Sequence, residues 1–486
     1  MSRQPRLSAN DWRPLAPPRL GDWEPRLSVT VVIPAYQAPA LPWVLAGLAA
    51  QSYPEHLLEV IVVDDSGEGI ALPEVRPERT RVVATTHGWG RAAACQSGAD
   101  VAEGDIVHWL DADMVPARHE VEAQLRWHHL VDYAVVLGDK SFADADALAA
   151  IEPADLRAAI AAGTPVDDLA DGPVDPHAWV ERILAETDSL STAGPRAMRV
   201  HTGASASVGR DLLRESGGLP VGLVLGEDIV LGYRLREAGA VFVPDRDAHS
   251  LHLGATTVMR GAEQVNRYNK PFLAQQVPEF RGHRLQMPRS YEVPYVEVIV
   301  PVAGVSYEDV CVAVDAQLTG GVPDVVVTLV ADWSALSDDR RPILADPGLD
   351  LRLVRAAYAA EPRVRLADAP SRRSDATFRV TLPGVAVFPV GRSLAQLLRR
   401  MELEHLGCVD VDLSDGGAVR VLRTAAHSRA LRTSTEPGDY EAALAACYPA
   451  IHIPATDAGF VDAAGAPPVK QVRGLVSWGV RKDDPA

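Results

Sequence analysis

The sequence predicts an α/β protein built on a mostly parallel sheet. Three observations carry that expectation. Short β-branched runs alternate with segments whose apolar residues fall at helical spacing, polar residues gather where those runs stop, and a second set of similar runs begins near residue 296. Strands alternating with helices imply right-handed crossovers between parallel strands. In such sheets ligands sit beyond the carboxyl ends of the strands.

Val29-Thr-Val-Val-Ile33, ended by Pro34, reads as a buried strand meeting a loop. Residues 39–50 carry a helical pattern, and Glu59-Val-Ile-Val-Val63 is a second buried strand. Val82-Val-Ala84 is a third, Ala92–Val101 a small-residue helix, and Ile106-Val-His-Trp-Leu110 a fourth strand. Three of the strand ends are polar: Pro34-Ala-Tyr-Gln37, Asp64-Asp65 and Asp111-Ala-Asp113. That coincidence points to a nucleotide.

Val296-Glu-Val-Ile-Val-Pro301 resembles Val29–Pro34, and the echo continues. Val325–Asp332 parallels Val60–Asp65, and Phe378-Arg-Val-Thr-Leu382 parallels Ile106–Leu110. An internal duplication explains the pattern, with Gly384 and Ala386 expected where the first copy has its aspartates. The second copy would then hold no metal. The division that follows is an N-terminal arm at 1–27, an α/β domain at 28–280, a linker at 281–294 and a second α/β domain at 295–486.

A chain of 486 residues with 47% hydrophobic and 23% charged residues is globular and long enough for two or three domains. Its net charge of −18 argues against a nucleic-acid or anionic-membrane binder, since both need a basic surface. The four cysteines, Cys95, Cys311, Cys408 and Cys447, show no CxxC spacing and read as free thiols of a reducing compartment. No apolar leader or apolar run of about 18 residues occurs, so a cytoplasmic protein without a transmembrane segment is expected; peripheral membrane contact and a homo-oligomer stay open. Lysine occurs only at 140, 270, 470 and 482, and this Arg- and Ala-rich composition suits a GC-rich, actinobacterial genome.

Asp111 and Asp113 follow an apolar strand directly. Residues i and i+2 of a strand share a side, so the two carboxylates can converge on one hard cation, Mn²⁺ or Mg²⁺, that neutralises a diphosphate. A bare DxD is more often a solvated loop, and the chain also holds Asp144/Asp146, Asp245/Asp247 and Asp410/Asp412. Only Asp111/Asp113 close a buried strand downstream of another carboxylate pair. Glu227 and Asp228 open an amphipathic helix stopped by Gly239. Capping the helix dipole accounts for one of them; a second carboxylate there can act as a general base on an acceptor hydroxyl.

In order, these segments resemble the family 2 glycosyltransferases, inverting enzymes of GT-A fold. VTVVIPAYQA is similar to their opening strand, VIVVDDSGEG to their second, IVHWLDADMVP to their DxD strand, and GEDIVLGYRLREAG to their acidic helix. The likeness covers roughly residues 28–260, and on it the second domain is a degenerate GT-A-like or accessory unit. It implies that Pro34, Ala35 and Tyr36 line a base pocket and that Asp65, helped by Asp64, binds base or ribose. Asp113 would be the principal metal ligand, Asp111 would reach ribose or metal, and His252 would be a third ligand, ahead of His249. Thr202, Gly203 and Ala204 would shape the sugar and acceptor pocket, with Asp228 the catalytic base and Glu227 beside it.

Cys95-Gln96 occupy the place of the family's Arg-Asn pair, and Arg91, one turn earlier, is the replacement expected for contact with the diphosphate. The QxxRW motif and membrane helices of processive synthases are absent from the sequence, so single transfers are expected. The donor would be a nucleotide sugar, UDP being the family's commonest nucleotide, and the acceptor a glycan, lipid-linked sugar, protein or small metabolite, as in polysaccharide or glycoconjugate synthesis. Two other readings compete: an inactive nucleotide-sugar-binding scaffold, and a sugar nucleotidyltransferase. The latter normally has a glycine-rich basic loop after its first strand, where this chain has PAYQAP.

Overall fold

The computed structural model describes residues 4–284, 289–436 and 438–461. Residues 1–3 of the expected arm, 285–288 of the expected linker and 462–486 of the expected second domain lie outside the described residues. The first half supplies nine strands: β1 (Val29–Ala35), β2 (Leu58–Asp64), β3 (Thr80–Ala84), β4 (Ile106–Leu110), β5 (Met114–Pro116), β6 (Ala134–Ala143), β7 (Asp175–Pro176), β8 (Ser205–Gly209) and β9 (Val241–Leu253). They form one sheet in the order β3-β2-β1-β4-β8-β6-β9-β5, with β7 against β6. β1 to β4 are mutually parallel, and β8 runs antiparallel between β4 and β6.

The sequence-read strands are mostly apolar because helices cover the sheet, as parallel sheets require, and their polar exceptions Thr30, Glu59 and His108 are buried. Every residue of β2 and of β4 is buried. The helix Arg91–Asp100 lies directly on β1, which its small residues allow: a Cβ at Gly98 would stand 2.4 Å from the Val32 side chain. Packing this close brings Arg91, at the start of that helix, to the carboxyl ends of the strands.

The second half contains β10 (Val296–Pro301), β11 (Val325–Val330), β12 (Val364–Ala367), β13 (Phe378–Thr381), β14 (Phe388–Pro389), β15 (Cys408–Asp412), β16 (Ala418–Arg423), β17 (Ala450–Pro454) and β18 (Phe460–Val461). Seven of them make a second sheet ordered β12-β11-β10-β13-β16-β15-β17, while β14 and β18 pair separately. Set against β3-β2-β1-β4-β8-β6-β9, the order is the same, and so is the succession of parallel and antiparallel neighbours. The registers agree too: Val29 faces Leu58 and Ile106, and Val296 faces Val325 and Phe378. Continued past the strand ends, that register sets Pro383 and Val385 in the places of Asp111 and Asp113, one residue earlier than the expected Gly384 and Ala386. A carboxylate is lacking at either alignment.

The N-terminal segment is not a free arm. Asn10 is buried and hydrogen-bonds both Leu190 and Phe242 main chains, and Trp12 packs edge-on against Trp127. Ala9 N–H donates to the Cys447 carbonyl, and Arg6 pairs with Asp439, so this strap touches both halves. Nor does the expected linker hang free, for Arg281 and Arg284 both pair with the buried Asp324, at 2.6 and 2.7 Å. The four cysteines are unpaired. Among the described residues no helix is long and apolar enough to cross a membrane.

Candidate active site

A cavity of about 480 Å³ opens at the carboxyl ends of β1, β2 and β4. Its wall contains Pro34, Ala35 and Tyr36 from the end of β1, Asp65 after β2, and Asp111 and Asp113 after β4. Tyr36 is 62% exposed, which leaves its ring face free for stacking on a base. Asp65 accepts from Gly90 N–H at 2.9 Å and so joins the loop that starts the helix Arg91–Asp100. Asp64 does not line the cavity. Its carboxylate caps its own turn, accepting from Ser66 N and Oγ and from Gly67 and Gly69 N–H groups, which hold it below the usual carboxylate range.

Arg91 ties the site together. Its Nε donates to Asp111 at 2.8 Å, Nη1 to Glu227 at 3.1 Å and Nη2 to the Gly203 carbonyl at 2.5 Å. A half-buried guanidinium needs such acceptors, and satisfying them draws together β4, the loop before β8 and the helix Glu227–Glu237. Gly203 has φ +72°, and a Cβ there would lie 2.9 Å from Arg91 Nη1 and 3.0 Å from Asp228 Cβ, so glycine is required at this crossing. Ala204 is buried, and its carbonyl receives Asp111 N–H at 3.0 Å.

Asp228 stands in the first turn of its helix, beside buried Glu227. Burial, reinforced by the Glu227 charge, pushes its carboxyl up to about 7. His201 Nδ1 lies 2.8 Å from the Asp228 carbonyl oxygen and fixes the turn. Thr202 Oγ1 receives a 2.7 Å hydrogen bond from Lys140 Nζ. Burial brings the Lys140 ammonium down to about 8, even with Asp111, Asp139 and Asp228 nearby.

The antiparallel pairing of β5 with β9 sets His252 opposite Met114, next to Asp113. His252 Nε2 lies 3.7 Å from Asp113 Oδ1, and its Nδ1 is buried without a hydrogen-bond partner. Burial raises the Asp113 carboxyl, while His252 opposes that shift. His249 turns elsewhere, to Asp139 at 2.8 Å and Asp167 at 3.0 Å, and is pushed up to about 9 by those hydrogen bonds despite its burial. No set of three or more His, Cys, Asp and Glu side chains among the described residues is arranged to hold a metal ion unaided. One carboxylate and one imidazole, completed by oxygens of a diphosphate, nevertheless form a donor set suited to Mn²⁺ or Mg²⁺.

Two polar residues of the site escaped the sequence reading. Asp146, set aside with the other DxD pairs, lines the same cavity as Asp113. Lys140 faces Thr202, and the available signal was its rarity, one of four lysines in the chain. The remaining DxD pairs have partners of their own: Asp245 and Asp247 pair with Arg126, Asp410 with Arg420 and Asp412 with His452. Gln96 faces away from the cavity, bonded to Leu219 N–H and Asp100.

Residues 30–147 match the model of glycosyl transferase family 2. That span includes Tyr36, Asp65, Arg91, Asp111, Asp113 and Asp146. Among solved structures the chain is similar to the mannosyltransferase PcManGT from Pyrobaculum calidifontis in complex with GDP-Man and Mn²⁺, at 21% identity over 52% of this chain and 62% of that one, TM-score 0.33. GalNAc-T7 with UDP, GalNAc and Mn²⁺ aligns at 14% identity over 52% of this chain and 50% of its own, TM-score 0.36. S. aureus TarS 1-349 aligns at 17% identity over 53% and 68%, TM-score 0.35. The first two are spanned over less than two thirds of their length, and at these scores none carries an argument about this chain's chemistry. No curated protein matches the chain at a significant level.

Proposed function

We propose that this chain is an inverting glycosyltransferase that moves one sugar at a time from a nucleoside diphosphate, UDP first among those to test, to an acceptor hydroxyl. The observation that carries this reading is the convergence made by Arg91, which joins Asp111 of the cavity wall to Glu227 and Gly203. The donor's base would stack on Tyr36 and its base or ribose would meet Asp65, while Asp111 and Asp113 face the diphosphate. Asp113 and His252 would hold the divalent cation, which supplies charge neutralisation for the leaving diphosphate.

Asp228 would take the proton. A carboxylate pushed up to about 7 is basic enough to take a hydroxyl proton and still be ionised near neutrality. As the acceptor oxygen bonds to the anomeric carbon, the bond from that carbon to the diphosphate breaks on the opposite face, and Asp228 receives the hydroxyl proton. Lys140 would hold Thr202 at the acceptor side. In this reading Arg91 acts chiefly as a positioning residue, since its donors are engaged by two carboxylates and a carbonyl. A thermal-shift panel of nucleoside diphosphates with and without Mn²⁺ tests the proposal. Stabilisation by one nucleotide, dependent on Mn²⁺ and lost in Asp113→Ala, is the expected outcome; indifference to every nucleotide would sink it.

A further inference from the structure

A second cavity, of about 380 Å³, lies where the two halves meet, and none of its lining residues has a part in the proposed transfer. Arg196 and Arg199 reach it from the short helix Gly194–Val200, Arg281 from the segment joining the halves, and Arg399 from the helix Ser393–Leu403. Arg423, at the end of β16, is 1% exposed and completes the lining on the second half. Five arginines therefore surround one cleft, against the two carboxylates of Glu279 and Glu402, in a chain whose net charge is −18.

Internal pairing does not account for this concentration. Arg281 is matched by Asp324, and Arg423 stands 3.6 Å from Glu279. Arg423 donates through Nε to the Leu406 carbonyl and through Nη2 to that of Met401, and its buried Nη1 has only the Glu279 carboxylate, 3.6 Å away and beyond hydrogen-bond distance. A buried charged donor held short of hydrogen-bond contact favours an added acceptor. Arg196, Arg199 and Arg399 are exposed at the cleft and make no hydrogen bond or ion pair to a carboxylate among the described residues. Like charges gathered without counter-charges repel one another, and the planar guanidinium fork matches phosphate oxygens two at a time.

We infer that this cleft between the halves is an anion site for a phosphoryl group, distinct from the cavity at Asp111 and Asp113. Its size suits a diphosphate or a phosphorylated sugar. The group's source is either a soluble phosphate or an anionic lipid headgroup. The helix bearing Arg196 and Arg199 runs on into Thr202 and Gly203, so an occupant would sit at the far end of the segment that borders Asp228.

Calorimetric titration of the whole chain with inorganic pyrophosphate in EDTA is the first arm of the test, because the donor cavity then has no cation to grip a diphosphate. Co-sedimentation with phosphatidylcholine vesicles containing phosphatidic acid is the second. Wild type and Asp113→Ala should bind alike in at least one arm, and Arg196→Glu with Arg399→Glu should weaken that binding tenfold or more. Pyrophosphate binding identifies a soluble source, and vesicle binding alone identifies a lipid one. The inference is overturned if neither probe binds, if the arginine changes leave binding intact, or if Asp113→Ala abolishes it. Both arginines are exposed, and an unchanged thermal melt of the double variant in buffer shows that it folds.

Discussion

Val29 and Val296 hold the same position in their two sheets, between Leu58 and Ile106 in one and between Val325 and Phe378 in the other. A few residues further on the sheets part company. β4 runs into Asp111 and Asp113, with Arg91 and Glu227 drawn up beside them, whereas β13 runs into Leu382, Pro383 and Val385. Strand order follows from apolar pattern and packing, which both halves keep. The aspartate pair just beyond the fourth strand is found in only one half. A sheet can therefore hold its architecture without the aspartate pair that follows β4.

That contrast is sharpest at Asp228. Changing it to Asn should lower kcat by about 10³-fold while leaving nucleotide affinity unchanged. No activity from the second half should fill the gap, and a near-normal rate would break the assignment of chemistry to the first half. The same residue sets the pH dependence. With its carboxyl pushed up to about 7, Asp228 is protonated below that pH and cannot accept a proton. The wild-type rate should therefore climb about tenfold per pH unit below 7 and level off above it. The residual rate of Asp228→Asn should lack this limb.

Next in size is the seam between the halves. Arg429, buried on the helix Thr424–Thr433, donates to the Gly239 and Ala240 carbonyls of the first half and to those of Leu7 and Ala9 in the strap. Removing it in Arg429→Ala should cost about 3 kcal/mol, since several buried carbonyls lose a charged donor at once. Urea unfolding measures this; a loss below about 0.5 kcal/mol would mean the halves are held by other contacts.

The smallest effect makes the most direct comparison. Two residues past Val63 and Val330 the two registers reach Asp65 and Asp332. Asp65 borders the cavity at Asp111 and Asp113, whereas Asp332 accepts hydrogen bonds from Ser334 and Ala335 in an exposed turn. Asp65→Ala should weaken nucleotide binding about tenfold, the order of one lost charged hydrogen bond. Asp332→Ala should leave it unchanged. Equal losses in the two variants would mean that the second sheet also carries a nucleotide.

Much of the first site was legible because it is local. Asp111, Asp113 and Asp65 each follow a continuous apolar run, and a run buried on both faces announces a strand whose end is the place to look. Asp146 was not legible, since it follows a long strand distant in sequence and resembles the DxD pairs that have partners of their own elsewhere. Asp64 was misleading for the opposite reason: it adjoins Asp65, but strand alternation turns its carboxylate into the loop. Lys140 reaches Thr202 only because β6 and the loop before β8 come together, a contact between residues 62 positions apart.

By itself, then, the sequence determined that the apolar runs beginning at Val29, Glu59, Ile106, Val296, Val325 and Phe378 become strands, and that an aspartate pair follows the fourth strand of the first half and not its counterpart; apolar runs and neighbouring residues suffice for that. Only the tertiary structure decided what those ends meet: Arg91 between Asp111 and Glu227, His252 turned toward Asp113 while His249 turns away, and an N-terminal strap across both halves. Such pairings depend on the distances at which folded elements pack and on the need of each buried charge for a partner, which no local pattern encodes.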